Sequence, residues 1–321
     1  MSNASIATVD HGKSNGKNDD LACLSALAPE NATHIRRLLK LPPAPSFSHV
    51  PKRKQAAVAA ILYESRACDS NASRELRVIM STRALHLRSH PGQASLPGGK
   101  VDSTDETVVE TALRESVEEI ALPANEAIHL HTGYPFLSKM GLLVHPVVFL
   151  LLNGDEVLPR LLASPSEVSD IWSTPLSAFL SSVAPKHAIL SDPDSIDKHR
   201  PPQKVFRTYT DIPWLGSTYR LHRFRSSHQL IKGLTADVLI SVAKKVYGIK
   251  PKFQVNADGQ KSWQEMVELI VDRYCGNTRP EGRWGDGESG DVQGSSEAYE
   301  TFVGVDLDQD ISKDELERTG E

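Results

Sequence analysis

Three glutamates close together on one predicted helix constrain this chain more than any other feature of its sequence. In the run Arg114-Glu115-Ser116-Val117-Glu118-Glu119, the acidic residues follow one another at spacings of three and four positions. Residues at these spacings are neighbours on the helix surface, and like charges there destabilise a helix by roughly 0.2–0.5 kcal/mol per pair. Carboxylate oxygens are the ligands that a hard divalent cation such as Mg²⁺ prefers. The sequence therefore predicts a cation site on one face of this helix.

The flanking residues indicate how the helix begins and which side packs against the core. The predicted apolar stripe consists of Val108, Val109, Ala112, Leu113, Val117 and Ile120. Ser103 and Glu106 have the spacing of a capping box, and Asp102 and Asp105 place negative charge near the positive end of the helix dipole. Before them, Pro97-Gly98-Gly99 predicts a tight turn whose backbone approaches something bound. The predicted order is strand, glycine turn, capped helix and acidic cluster.

These residues resemble the box of the Nudix hydrolases, which reads Gly-x5-Glu-x7-Arg-Glu-U-x-Glu-Glu-x-Gly-U, with U aliphatic. The positions that match in register are Arg114, Glu115, Glu118, Glu119 and Leu122. Ser116 stands at an aliphatic position, and Ala121 stands at a glycine position. Glu106 has the required spacing to the box arginine, but Gly99 then lies one residue too early. Asp105 is the alternative for the acidic position.

The segment before the box narrows the resemblance to the coenzyme A pyrophosphatase branch of this family. Leu87–Gly99 reads LRSHPGQASLPGG, which is similar to the branch segment LxxHxGQxxFPGG with Leu96 in place of Phe. The branch pattern Gly-Gly-x-x-Asp-x-x-Asp is matched by Gly98, Gly99, Asp102 and Asp105. Further along, Ile231–Ala236 resembles the branch segment Ile-Trp-Gly-Leu-Thr-Ala, with Lys232 in place of Trp. The resemblance covers roughly residues 52–248.

The resemblance implies an α/β (α+β) fold in which a mixed β-sheet is sandwiched between α-helices. It also implies hydrolysis of the diphosphate of coenzyme A or its derivatives to 3′,5′-ADP and (acyl-)4′-phosphopantetheine, by water attack at phosphorus. The implied cofactor is Mg²⁺ or Mn²⁺, and the implied metal ligands are Glu115, Glu118 and Glu119. The implied catalytic residues are Glu115, Glu118, Glu119, Arg114 and Glu167. The implied substrate-binding residues are Arg83, Arg88, His90, Gln93, Gly98 and Gly99.

Individual roles follow from the chemistry of these side chains. Glu115 is favoured as the base that accepts the proton of water, and Glu167 is the second choice. Arg114 is expected to orient a carboxylate, as paired arginines usually do. Arg83 and Arg88 are expected to bind phosphate through the guanidinium fork.

Two alternatives stay open. A nucleoside diphosphate sugar or an oxidised nucleotide would be hydrolysed with the same box, although His90-Pro91-Gly92-Gln93 favours coenzyme A. His90 itself is expected to stabilise its turn rather than to act as a catalyst. The second alternative is a non-catalytic Nudix module that binds a nucleotide or a partner. Because such proteins usually lose box glutamates and this chain keeps all three, the sequence favours an enzyme.

Charge is distributed unevenly along the chain. From Glu281 to the end there are thirteen acidic and three basic residues, a net charge of −10, whereas the whole chain carries −5, so residues 1–280 carry about +5. A modestly basic body suits a small polyanionic substrate and, without interleaved aromatic residues, does not indicate nucleic acid. No run of eighteen apolar residues predicts a membrane span, and no apolar signal-peptide core is present near the N-terminus.

The cysteines indicate a reducing compartment. Cys23, Cys68 and Cys275 are odd in number and widely separated, and they form neither a zinc spacing nor a disulfide framework. The expected location is intracellular, either cytoplasmic or peroxisomal, although the terminal Arg-Thr-Gly-Glu is no recognisable peroxisomal signal. The sequence leaves the oligomeric state open.

The chain is predicted to have five segments. Residues 1–28 are predicted to be disordered, 29–51 to form a short helix and a proline-rich linker, and 52–250 to form the Nudix domain. Residues 251–275 are predicted to add an extra helix, and 276–321 to form an acidic disordered tail. Strands are predicted over Ala56–Tyr63, Leu76–Thr82, Ala127–Thr132, Leu142–Leu152, Val205–Tyr209 and Ser217–Arg223. Helices are predicted over Asn31–Leu41, Ser177–Ser182, Gln229–Tyr247 and Lys261–Tyr274. A loop from Glu64 to Glu75 and a mobile insertion over residues 184–204 complete the prediction.

Overall fold

The computed structural model describes residues 23–65, 74–185, 190 and 205–275. The strands are β1 (Gln55–Glu64), β2 (Leu76–Arg83), β3 (Ala94–Ser95), β4 (Gly98–Lys100), β5 (Ala127–Thr132), β6 (Phe136–Leu137), β7 (Leu143–Leu151), β8 (Val168–Pro175), β9 (Arg207–Trp214), β10 (Ser217–Phe224) and β11 (Ile231–Lys232). The α-helices are α1 (Pro29–Leu39), α2 (Val108–Ile120), α3 (Gly154–Val157), α4 (Gly233–Tyr247) and α5 (Trp263–Tyr274). None of these described helices has both the length and the apolar character that a membrane span requires. The predicted acidic tail, most of the predicted insertion and most of the predicted loop between β1 and β2 lie outside the described residues.

Two long parallel strands, β1 and β7, form the centre of the larger sheet. They pair from Gln55↔Leu143 to Tyr63↔Leu151. All nine residues of β7 are buried, as expected for a continuous apolar run that is covered on both faces. The strand order is β3-β2-β1-β7-β5, with β4 paired to β1, β6 to β7 and β8 to β2. Apart from the β1–β7 pair these pairings are antiparallel, so the sheet is mixed, as predicted.

Helices cover both faces of this sheet. One face, which includes Leu62 and Leu150, packs against α1 and α4. The opposite face, which includes Ile61 and Phe149, packs against α2. Each large apolar side chain that is fully buried contributes roughly 1.5–3 kcal/mol to folding. The predicted layer order of helix, sheet and helix is therefore confirmed.

The start of α2 differs from the prediction. Thr107 is the N-cap, and its side chain accepts a hydrogen bond from the backbone N–H of Glu110 (3.2 Å). The predicted capping box of Ser103 and Glu106 is therefore wrong. Ser103 instead belongs to a separate turn, in which its hydroxyl donates to the carboxylate of Asp102 (3.1 Å).

Ser116 marks the middle of the buried face of α2. It is fully buried, and its hydroxyl donates to the backbone oxygen of Ala112 (2.7 Å), so the polar group has a partner. Val117 lies about 100° further around the helix and is 42% exposed, so its predicted place in the apolar stripe is wrong. The helix ends at Ala121 in the left-handed conformation (φ 52°), where a residue with a Cβ costs roughly 1–2 kcal/mol.

The N-terminal helix, α1, docks on the body of the protein. The carboxylate of Glu64, at the end of β1, accepts hydrogen bonds from the backbone N–H of Ala28 and the side chain of Asn31, each at 2.7 Å. At the other end of α1, Arg37 donates to the backbone oxygen of Tyr247 (2.8 Å), the last residue of α4. A distant carboxylate thus supplies the cap that the residues preceding α1 lack.

The ordered body also begins before residue 29. Cys23–Ala26 forms a 3-10 turn, and Leu24 and Leu27 are buried in the same core cluster as α1. The prediction of disorder over residues 1–28 is wrong for 23–28, because these two leucines have core positions to fill. The remainder of that segment lies outside the described residues.

Boundaries also differ in the C-terminal half. Gln229 was the predicted start of α4, but the helix begins four residues later because Ile231–Lys232 pairs with Arg223–Phe224 as an edge strand of the β11-β10-β9 sheet. The predicted helix over Ser177–Ser182 is a 3-10 turn over Leu176–Leu180. The predicted extra helix is present as α5 and is capped by a capping box.

A buried carboxyl in α4 makes the stability of this fold depend on pH. Asp237 is 6% exposed and accepts a hydrogen bond from the hydroxyl of Tyr219, and burial raises the pKa of Asp237 from 3.8 to about 8. Between these values the folded state binds more protons than the unfolded state. The free energy of unfolding therefore falls as pH rises through this range, by at most about 1.4 kcal/mol per pH unit.

We expect Asp237→Asn to reduce this pH dependence. Asparagine keeps an acceptor for Tyr219 but does not ionise. At pH 9 the free energy of unfolding of the variant should therefore exceed that of the parent protein by on the order of 2 kcal/mol. Urea unfolding at pH 6 and pH 9 measures the difference. Asp272→Asn, which removes an exposed carboxyl of α5, is the control. The same pH dependence in the parent and in both variants would contradict the prediction.

Candidate active site

The three glutamates of α2 lie at different depths. Glu119 is only 4% exposed, and its Oε2 atom accepts a hydrogen bond from the backbone N–H of Gly98 (3.3 Å). The side chain of Glu115 is 15% exposed and that of Glu118 is 59% exposed. The carboxylates therefore extend from the core to solvent along one edge of the helix, rather than sharing one exposed face.

The Gly98-Gly99 pair brings a strand against these carboxylates. It forms part of β4, which pairs with Ala56–Val58 of β1, so the predicted tight turn at this point is wrong. A Cβ at Gly98, where φ is +156°, would lie 2.3 Å from the backbone oxygen of Ala57. A Cβ at Gly99 would lie 2.4 Å from a carboxylate oxygen of Glu115. Both positions therefore require glycine. The backbone at Gly98 lies too close to the neighbouring strand for a side chain, and the backbone at Gly99 lies too close to the acidic cluster.

Arg114 connects the carboxylates to the loop before α2. Its guanidinium donates to both oxygens of Asp105, from Nε at 3.0 Å and from Nη2 at 2.9 Å. Nη1 donates to Glu115 (2.9 Å) and to Glu118 (3.0 Å). Arg114 thus orients the acidic cluster through a bidentate pair of the kind that fixes geometry. Asp105, rather than Glu106, is the acidic residue that pairs with the box arginine.

Asp105 is itself buried and fully hydrogen-bonded. Besides Arg114, it accepts hydrogen bonds from the backbone N–H of Asp102 (2.8 Å) and the hydroxyl of Thr111 (2.9 Å). Burial acts to raise the pKa of Asp105, but these hydrogen bonds and the charge of Arg114 outweigh it, so the pKa is lowered. Asp105 therefore stays ionised and anchors the arginine.

The two inner glutamates carry repelling charges. Burial, together with the charges of Glu115 and Glu167, raises the pKa of Glu119 to about 8, although the hydrogen bond from Gly98 acts to lower it. Burial also raises the pKa of Glu115 despite its hydrogen bond from Arg114. Because ionisation of both carboxylates is unfavourable here, a positive charge bound beside them would stabilise their ionised forms.

The donor set suits a divalent cation by its chemistry. Carboxylate oxygens are the preferred protein ligands of Mg²⁺ and Mn²⁺, and a cation would relieve the repulsion between Glu115 and Glu119. Throughout the described part of the chain, however, no three His, Cys, Asp or Glu side chains are grouped closely enough to hold an ion. Arg114 engages the carboxylates of Glu115 and Glu118 instead. The assignment of Glu115, Glu118 and Glu119 as metal ligands stays a prediction.

Glu167 lies near the acidic cluster although it is 48 positions from Glu119. Its backbone oxygen accepts a hydrogen bond from Ala84 (2.8 Å), which ties its loop to the end of β2. Its side chain is exposed, and its charge raises the pKa of both Glu115 and Glu119. The structure therefore brings this predicted residue to the site.

Four of the predicted substrate-binding residues lie in one loop at the end of β2. The backbone of Arg83 is hydrogen-bonded to Gly92 and Gln93, each at 3.0 Å, and its Nε donates to the oxygen of Ser89 (3.3 Å). The charge of Arg83 lowers the pKa of Glu119, so the loop faces the acidic cluster. His90 adopts φ 54° and is exposed, as expected for a residue that shapes a turn.

Arg88 belongs to the same loop. Its side chain is exposed, and it forms no ion pair or hydrogen bond with another described residue. The phosphate-binding role of Arg88 therefore stays a prediction, whereas Arg83 has a position beside the cluster.

The sequence did not predict which charged residues from distant segments affect His90. Partial removal from water lowers the pKa of His90, and the charges of Arg83, Lys232 and Lys139 lower it further. It also missed His228, which stacks on Trp172 with ring centroids 4.9 Å apart and faces Asp170 at 3.4 Å. These residues are far apart in sequence, so no spacing rule could have grouped them.

Comparison with known proteins shows the family. The family model that matches is the NUDIX domain, over residues 53–192. The chain is 32% identical over 206 residues to Nudix hydrolase 15, mitochondrial, of Arabidopsis thaliana, a match that covers 63% of this chain and 62% of that protein. A crystal structure of a Nudix hydrolase from M. smegmatis, RenU, is 18% identical and covers 40% of this chain and 74% of that one, with a TM-score of 0.30.

The match to a bacterial relative covers almost the whole length of that relative. The uncharacterized Nudix hydrolase NudL of Photorhabdus laumondii is 30% identical over 208 residues, which is 65% of this chain and 92% of that protein. On this coverage and identity, together with the matching domain model, the chain belongs to the Nudix hydrolase family.

Proposed function

We propose that this protein hydrolyses the diphosphate of a nucleoside diphosphate derivative with the help of Mg²⁺ or Mn²⁺, and that the substrate is coenzyme A or one of its derivatives. The observation that carries the reaction class is the pair Glu115 and Glu119. Their pKa values are raised by burial and by charge repulsion, beside a glycine strand that leaves no room for a side chain. Such a pair is well suited to a cation, because added positive charge would relieve the repulsion between the two carboxylates.

The chemistry of the substrate explains why a cation is needed. A diphosphate repels hydroxide and anionic side chains, so water attacks phosphorus slowly unless the negative charge is neutralised. A bound divalent cation supplies that neutralisation and lowers the pKa of water, which is commonly worth several kcal/mol. The residues that would hold it are Glu115, Glu118 and Glu119.

The protein must also accept a proton from the attacking water. We favour Glu115, because its raised pKa makes it a better base than an exposed carboxylate. Arg114 engages its Oε1 atom, which leaves Oε2 to take the proton. Glu167 is the second choice, since it is exposed and lies close enough to affect the pKa of both inner glutamates.

Arg114 is proposed to position the carboxylates rather than to contact substrate. Its five donors are shared among Asp105, Glu115, Glu118 and the backbone oxygen of Lys100. Arg83 is proposed to bind a phosphate, because it lies beside Glu119 and forms no ion pair with a carboxylate among the described residues.

The assignment of coenzyme A is supported by the meeting of two segments. The segment His90–Gly99 and the segment Ile231–Ala236 both resemble the coenzyme A branch, and they are more than 130 positions apart. In the fold β3 of the first segment lies beside β11 of the second. A substrate that reaches both would contact the residues that distinguish this branch.

The decisive experiment is incubation of the purified protein with coenzyme A and Mg²⁺, with products identified by mass. We expect 3′,5′-ADP and 4′-phosphopantetheine, and no turnover when Mg²⁺ is chelated. A nucleoside diphosphate sugar and an oxidised nucleotide are tested in parallel. Hydrolysis of one of these instead of coenzyme A would replace the substrate but keep the reaction. No hydrolysis of any of them would support a non-catalytic binding module.

A further inference from the structure

His228 lies flat on a buried tryptophan of β8. The rings of His228 and Trp172 stack with their centroids 4.9 Å apart and an angle of 9° between their planes. Trp172 is only 3% exposed, and its Nε1–H donates to the hydroxyl of Thr82 in β2 (3.1 Å). The tryptophan is therefore fixed both by packing and by a hydrogen bond, and it sets the plane of the imidazole.

The edges of the imidazole ring are also held. Nδ1 of His228 lies 2.9 Å from the hydroxyl of Ser227, and Nε2 lies 3.4 Å from a carboxylate oxygen of Asp170. The backbone N–H of His228 donates to the hydroxyl of Ser226 (3.0 Å), which donates in turn to the backbone oxygen of Gln229 (2.7 Å). Because the ring is already ordered by these contacts, little conformational entropy is lost when a ligand binds to it.

The second face of the ring is open. Among the residues that the structure describes, only Trp172 stacks on His228, yet 38% of the His228 side chain is exposed. Because the first face and both nitrogens contact other groups, this exposure belongs mainly to the second face. A flat ring with a fixed orientation and one free face is a stacking surface for another flat ring.

The stacking surface is connected to the acidic cluster through the loop before β8. In this loop the backbone N–H of Ser164 donates to the backbone oxygen of Glu119 (2.9 Å), and the backbone oxygen of Glu167 accepts from the N–H of Ala84 (2.8 Å). β8 begins immediately after Glu167. Asp170, which contacts His228, therefore lies about 10 Å from Glu167 along the strand, at about 3.3 Å per residue.

The end of β2 lies between the stacking surface and the acidic cluster. Thr82 and Arg83 are the last two residues of β2, and consecutive side chains of a strand point to opposite faces of the sheet. Thr82 holds Trp172 on one face, and Arg83 lies beside Glu119. A molecule that passes around the end of β2 can therefore place a phosphate at Arg83 and a flat ring on His228.

We propose that His228, stacked on Trp172, binds the nucleobase of the substrate by stacking. The inference rests on the proposed function, because it assigns the diphosphate of the same molecule to the acidic cluster. The adenine of coenzyme A is such a base. Asp170 and Ser227 are positioning residues that hold the plane of the imidazole.

Calorimetric titration of the full-length protein with 5′-AMP tests the proposal without any hydrolysis. His228→Leu keeps an apolar side chain over Trp172 but removes the flat ring, whereas His228→Phe keeps both. We expect His228→Leu to bind 5′-AMP at least about fivefold more weakly than the parent, the lower end of the effect of removing one stacking ring. His228→Phe should stay within about twofold of the parent.

The control is His129→Leu. His129 packs edge-to-face on Phe149, with ring centroids 5.9 Å apart, and belongs to β5, on the other side of β1 from β2 and β8. This variant should bind 5′-AMP like the parent. Equal affinities of His228→Leu and His228→Phe, an equal loss in His129→Leu, or no binding of 5′-AMP by the parent would overturn the proposal.

The same variants separate the stacking surface from the substrate assignment. If coenzyme A is not hydrolysed but 5′-AMP binds more weakly to His228→Leu than to His228→Phe, the stacking surface stands and the substrate assignment is wrong. If coenzyme A is hydrolysed, His228→Leu should raise KM for coenzyme A at least about fivefold and keep kcat within about twofold, as expected for a contact made equally in the ground state and the transition state. A lower kcat with an unchanged KM would reject the stacking surface.

Discussion

Glu118→Gln is expected to lower kcat at least about 100-fold while the protein stays folded. Loss of a major electrostatic stabiliser typically costs 10²–10³ in kcat, and Glu118 is proposed to hold the catalytic cation. Its side chain is 59% exposed, and among the described residues it pairs only with Arg114, at a spacing of four positions. Exposed pairs of this kind are worth roughly 0.3–0.5 kcal/mol, so the free energy of unfolding should hardly change.

The measurement is steady-state hydrolysis of coenzyme A over a range of Mg²⁺ concentrations, with urea unfolding of the same preparations. Glu110→Gln is the matched control, because it removes one carboxylate from the first turn of the same helix, five residues before Glu115. It should keep turnover within about threefold of the parent. Near-normal turnover in Glu118→Gln would show that the acidic cluster does not hold the catalytic cation.

The sheet was predictable because its strands carry an unambiguous pattern. β7 is a continuous apolar run between polar loops, and such a run fits a strand buried on both faces. The first and last residues of the helices and strands were less predictable, because they depend on contacts with residues that are distant in the sequence. Ile231–Lys232 looked like the first turn of a helix, but pairing with β10 makes it a strand. The start of α1 depends on the carboxylate of Glu64, which is 33 positions from its partner Asn31.

The sequence predicts which glutamates form the acidic cluster, but it does not predict how deeply each of them is buried. Helical spacing groups Glu115, Glu118 and Glu119, yet it does not say which side of the group faces the core. The buried face of the helix is centred on Ser116. Because serine is polar, the apolar pattern of the sequence did not indicate this face. The charges that lower the pKa of His90 could not be predicted from spacing, because Arg83, Lys139 and Lys232 are far apart in the sequence.

Gly98→Ala is expected to destabilise the protein by on the order of 3–5 kcal/mol. The added Cβ would lie 2.3 Å from the backbone oxygen of Ala57 and 2.7 Å from the Cα of Val58. These are backbone atoms of β1 that are held by pairing with β4 and β7 and cannot move aside. Overpacking of a core typically costs 1–3 kcal/mol, and an unfavourable φ adds on the order of 1–3 kcal/mol. Urea unfolding of the metal-free protein measures the loss.

Two other glycines separate the causes of that loss. Gly259 has φ +72°, and a Cβ added there would meet no described atom within 4 Å, so Gly259→Ala should show the conformational cost alone, about 1–2 kcal/mol. A Cβ at Gly99 would meet the carboxylate of Glu115, which is the mobile end of a side chain. Gly99→Ala should therefore cost less stability than Gly98→Ala but reduce kcat, because it displaces the proposed base. If Gly98→Ala were no more destabilising than Gly259→Ala, β4 could not be packed against β1 as described, and the strand that positions the acidic cluster would have to lie elsewhere.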